Sequence, residues 1–144
     1  MTKSERMRPV VRIAESREQD AAGAFGASKR TLEENEQRLA ELLAYRDEYH
    51  RHFQQAGSAG VSAGRFMGFQ RFLSQLNKAI EQQRRIVRDA AEACEAKRRA
   101  LNAARGRSMA LDKVVTRYRD EEVRHQERRE QKETDELAQR RRDS

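Results

Sequence analysis

The chain has 144 residues, of which 36% are apolar and 38% charged, with a mean hydropathy of -1.10 and a formal net charge of +7. So little apolar content does not fill a compact globule, which leaves a disordered chain or helices that bury a narrow seam and keep the rest of their circumference in water. No run of about 18 apolar residues is present to cross a bilayer, and the amino terminus MTKSERMRPVV lacks the apolar stretch of a secretion signal, which predicts a cytoplasmic protein.

Proline occurs once, at Pro9, and glycine is sparse outside residues 57–68, so little interrupts helix propagation in a chain rich in Ala, Glu, Arg, Gln and Leu. Phe25, Leu32, Leu39, Leu43 and Phe53 recur at helical spacing, which predicts a first amphipathic helix over about residues 10–55. Residues 56–62 collect small and turn-forming side chains where the chain can reverse, and Ser62 is placed to cap a new helix. That second helix is expected over residues 63–140. Its seam is Phe66, Phe69, Leu73, Leu76, Ile80, Val87, Cys94 and Leu101, then Met109, Leu111, Val115 and Tyr118, mostly at steps of three, four or seven. The lone Cys94 reads as a small apolar residue of that seam and has no second cysteine to pair with.

Two long helices joined by a short turn pack antiparallel, so the predicted fold is all-α, a single long two-helix coiled-coil hairpin. Folding about the turn sets Phe53 near Phe66, Phe25 near Cys94 and Val10 near Met109, and leaves everything after about residue 110 without a partner. The second helix would be roughly 110 Å long at about 1.5 Å per residue, with an overhang of about thirty residues. A helix that is polar all round needs another protein to hold it.

Chemistry is not expected from this sequence. His50 and His52 point about 200° apart on a helix and His125 is remote, so a metal site is not indicated. Glu33-Glu34 and Glu121-Glu122 are accounted for by a solvated helix face, since a two-helix hairpin has no enclosed pocket to raise a carboxyl pKa. There is no phosphate-cradling glycine loop and no nucleophile elbow, so neither an enzyme nor a cofactor is expected. Residues 65–107 hold eleven Lys/Arg against four Asp/Glu. The basic run Arg84, Arg85, Arg88, Lys97, Arg98, Arg99, Arg105 and Arg107 suits a solvated face, an acidic protein partner or nucleic acid, but it lacks the interleaved aromatics that stack bases.

The aromatic residues are more informative. Six of the eight Phe and Tyr lie within residues 45–72, more than a two-helix seam buries. At 100° per residue, Leu42, Tyr45 and Tyr49 form a stripe displaced by roughly 100° from the first seam. Phe72, Leu76, Ala79 and Gln83 are displaced in the same sense from Phe66, Leu73 and Ile80. An exposed patch spanning both helices near the turn is the expectation, of the residue types that anchor protein interfaces.

Four stretches resemble the FliJ family of flagellar type III export proteins: LAELLAYRDEY at residues 39–49, GVS at 60–62, FQRFLSQLNKAIEQQ at 69–83 and RREQKETDE at 128–136. They run in order along nearly the whole chain. The resemblance implies an antiparallel two-helix coiled coil like the central stalk of rotary F-type ATPases, working in the cytoplasm at the inner membrane beneath the flagellum. It further implies that both termini enter the ring of the hexameric flagellar export ATPase, and that the turn end contacts the membrane export gate protein, coupling ATPase to proton-driven export. It implies binding of export chaperones as well. Leu42, Tyr45, Tyr49, Phe72, Leu76, Ala79 and Gln83 match the family's gate-binding surface, with Arg38 at a flanking position, and Gln131, Lys132, Glu133, Asp135 and Glu136 match the part expected inside the ring. Two alternatives stand beside this reading, a nucleic-acid- or anion-binding coiled coil and the homologous stalk of a virulence-type secretion system.

Overall fold

The computed structural model describes residues 1–144, and every regular element in it is helical: α1 (Lys3–Arg6), α2 (Arg8–Gly57) and α3 (Ala63–Asp143). The expected all-α architecture of two long helices about one turn is present. The boundaries arise from local chemistry. Thr2 and Glu5 form a reciprocal capping box at the start of α1, the Thr2 hydroxyl accepting from the Glu5 N–H and the Glu5 carboxylate from the Thr2 N–H. The break before α2 falls two residues ahead of Pro9, which has no N–H to give the preceding turn and is tolerated where a helix begins.

At the far end of α2, Gly60 takes a positive φ of 90°, a conformation that a side chain disfavours, and its N–H donates to Gly57 O at 3.1 Å. The Ser62 hydroxyl then accepts from the Arg65 N–H at 3.2 Å, capping α3.

The chain divides into two compact units, Ala22–Ala100 and Met1–Ala21 with Leu101–Ser144. In the first, the less exposed positions of α3 include Phe69, Leu73, Leu76, Ile80, Gln83, Val87, Ala90 and Cys94; those of α2 include Phe25, Ser28, Leu32, Asn35, Leu39, Leu42, Arg46, Tyr49 and Phe53. Both rows step by three and four, the spacing of coiled-coil knobs. Ile80 is the one large side chain that is fully buried, 1% exposed.

In the second unit the same spacing runs through Ser4, Met7, Val11, Ala14, Glu18 and Ala21, and through Leu101, Ala104, Ser108, Leu111, Val115, Tyr118 and Glu122. The amino-terminal residues therefore reach further than the expected pairing of Val10 with Met109. Lys3 lies over the Tyr118 ring at 5.5 Å, and Ser4 donates twice to Glu122, from its N–H at 3.0 Å and its hydroxyl at 2.7 Å. Residues 1–9 are helical or capped rather than extended, so α3 has packed neighbours to residue 122, not to about 110. Met109 and Phe66, both expected in the seam, are exposed.

Candidate functional site

Two regions carry the site residues read from the sequence: the aromatic end of the hairpin unit and the carboxyl-terminal stretch of α3. The first is organised by Phe69, which is buried beside the turn. Phe53 stacks on it at 3.8 Å, Tyr49 at 5.1 Å, and His50 meets its ring edge-on at 5.7 Å. Phe72 packs against Tyr49 at 4.5 Å and meets Tyr45 nearly perpendicularly at 6.1 Å, while Phe66 is tilted on Phe53 at 6.1 Å. The edge-on and offset contacts among these are favourable geometries for aromatic quadrupoles, whereas Phe53 on Phe69 is nearly face to face. The heptad brings these rings together, because Tyr49 and Phe53 on α2 and Phe69 and Leu73 on α3 are consecutive seam positions on either side of the reversal.

Among the seven residues of the predicted side stripe, Tyr45, Tyr49 and Phe72 form one contiguous surface; Tyr45 is 49% exposed, and Leu42, Tyr49 and Phe72 are half-buried. Ala79 is exposed. Leu76 and Gln83 depart from the expectation of an exposed stripe, since both lie buried in the seam. The Gln83 amide donates to the Asn35 carbonyl at 3.0 Å and to the Asn35 side-chain oxygen at 3.2 Å, which compensates its burial. Leu73 and Ile80, which with the exposed Phe66 are the reference for the expected displacement, trace one row of a seam that has two, and Phe69, Leu76 and Gln83 are the second. Arg38 is exposed on α2.

The second region begins after Glu122. Every residue from 123 to 144 is exposed, including Gln131, Lys132, Glu133, Asp135 and Glu136, yet α3 continues to Asp143. Pairs along its own surface support it: Gln126 donates to Glu130 at 3.2 Å and Gln131 to Asp135 at 3.0 Å, while Arg140, Arg141 and Arg142 complement the helix dipole in the last turn. The basic run is mostly unneutralised. Arg98 pairs with Glu95 at 3.3 Å and Arg105 with Glu18 at 3.7 Å, and no other ion pair is formed.

Comparison with known proteins places these features in a family. The family described as Flagellar FliJ protein matches residues 2–142. The Flagellar FliJ protein of Escherichia coli (strain K12) is 28% identical over 128 residues, covering 89% of this chain and 87% of the relative. That of Salmonella typhi is 27% identical over 128 residues with the same coverage. No solved structure matches with significance. With the match spanning both the aromatic end and the polar carboxyl-terminal helix, this chain belongs to the flagellar FliJ protein family.

Proposed function

We propose that the chain is a non-enzymatic stalk of flagellar type III protein export, working at the cytoplasmic face of the inner membrane between an ATPase ring and the membrane export gate and receiving export chaperones. The observation that carries this reading is the stretch of α3 beyond Glu122, about twenty residues of helix with no packed neighbour and a charged circumference. A helix of that length is marginal in water alone, and docking into a ring of subunits supplies the contacts it lacks. Gln131, Lys132, Glu133, Asp135 and Glu136 offer both charge signs to such a ring. At the other region, Tyr45, Tyr49 and Phe72 with Leu42 and Ala79 supply an aromatic surface of the kind that anchors interfaces, while Leu76 and Gln83 act on it through the seam beneath.

Removal of residues after Arg124 tests the stalk. Stimulation of the export ATPase should be lost while the helical signal per residue does not fall, and full stimulation by the truncated chain would overturn the assignment. Tyr45→Ala with Phe72→Ala should weaken gate binding about tenfold or more and impair motility; unchanged gate affinity would remove the surface from the proposal.

A further inference from the structure

The hairpin end carries a property that its aromatic packing does not use. Residues 49–80 contain no Asp or Glu, a run of 32 in a chain that is otherwise dense in both charge signs. The same run contains Arg51, Arg65, Arg71 and Lys78, all exposed and none in an ion pair, together with His50 and His52. Beside the turn two large apolar side chains stand in solvent: Phe66 is 49% exposed and Met67 63% exposed. An adjacent groove of about 330 Å³, lined by Phe53, Val61 and Gly68 among others, has His52 and Arg65 on it.

The cations are not gathered on one face. Arg51 lies between seam residues Tyr49 and Phe53, and Arg71 between Phe69 and Leu73, so each is on the outward side of its own helix. Arg65 sits directly beside seam positions, on one flank of the pair. A surface built for one protein face would gather its charges on one side. Positive charge on both outward faces and one flank, with apolar groups protruding beside the turn, matches an anionic plane met end-on.

We infer that the turn end of this hairpin binds an anionic lipid surface, Phe66 and Met67 entering the headgroup boundary while Arg51, Arg65 and Arg71 meet lipid phosphates. The charge complementarity is that of a polybasic segment at an acidic leaflet, and the apolar pair supplies the second, hydrophobic signal that lasting attachment needs. This goes beyond the gate reading, which uses Tyr45, Tyr49 and Phe72.

The test uses the full chain with phosphatidylcholine vesicles, with and without phosphatidylglycerol, and no export component present. The chain has no tryptophan, so Phe66→Trp is a single reporter. Its emission should shift to the blue and be quenched by brominated lipid only when phosphatidylglycerol is present. Phe66→Ser with Met67→Ser should lower sedimentation with those vesicles about tenfold. Arg51→Gln, Arg65→Gln and Arg71→Gln together should lower it about a hundredfold. Tyr45→Ala with Phe72→Ala should leave it unchanged, which separates this proposal from gate binding. Absence of binding to acidic vesicles overturns the proposal, as does binding lost on Arg140→Gln, Arg141→Gln and Arg142→Gln but kept by the Arg51, Arg65 and Arg71 variant. Capture of an acidic gate fragment that needs Phe66 and Met67, without vesicle binding, would reassign the end to a protein partner.

Discussion

The two units share one spacing and differ in what fills it. In Ala22–Ala100 the seam is made of large side chains, with Ile80 sealed from water and aromatic rings packed on Phe69. In Met1–Ala21 with Leu101–Ser144 the seam keeps Met7, Val11, Leu101, Leu111 and Val115 but interleaves them with the small Ala14, Ala21, Ala104 and Ser108, and polar cross-helix contacts join it: Ser4 with Glu122, Arg105 with Glu18, and Lys3 over Tyr118. Identical periodicity thus specifies helix pairing in both, but stability scales with the apolar area that each residue removes from water. Exposed ion pairs such as Arg105 with Glu18 add little. The hairpin unit holds the aromatic packing, and the terminal unit holds the polar cross-helix contacts.

The contrast is broken most directly at the two seams. Ile80→Ala should destabilise the chain by about 3 kcal/mol in urea unfolding followed by far-ultraviolet circular dichroism, because it removes the best-buried side chain and leaves a cavity. Val115→Ala should cost about 1.5 kcal/mol, since two methyl groups leave a seam that already holds alanine and serine. A cost for Val115→Ala as large as that for Ile80→Ala, although fewer carbons are removed, would mean that the terminal seam is held the more tightly.

A smaller effect is expected where the hairpin unit is itself polar. Gln83→Leu should change stability by no more than about 1 kcal/mol, because the apolar side chain gained in the seam is offset by leaving the Asn35 side-chain oxygen without its donor. It should also lower the denaturant m-value, since the hydrogen bonds to Asn35 are lost as a marker of register. A loss of stability above about 1 kcal/mol would show the amide pair to be net stabilising. Gly68→Ala should stabilise by about 0.5–1 kcal/mol, as an added Cβ meets nothing within 4 Å and the helix becomes less costly to order.

The smallest expected effect belongs to the terminal unit. The Ser4 N–H and then the Ser4 hydroxyl hold the Glu122 carboxyl below its ordinary pKa of 4.5. A depressed folded-state pKa stabilises the fold above the ordinary value, and that stabilisation is lost as pH falls through the lower, folded value. Acid titration of the helical signal should therefore show a weakening below about pH 4.5 that Glu122→Gln removes. A variant that titrates like the parent would show that Glu122 is not the responsible group.

Much of this protein was readable because helices depend on local spacing. The absence of interior proline, the small residues around Gly60 and the three-and-four recurrence of apolar side chains are properties of neighbours in sequence, and they determined two helices about one turn. What the tertiary structure decided was membership of the seam by residues whose own chemistry argues against it. Gln83 belongs there only because Asn35, 48 positions away, takes its amide hydrogens, and Glu122 only because Ser4, 118 positions away, donates to it twice. The burial of a polar group is settled by its partner across the chain, and no window along the sequence contains both.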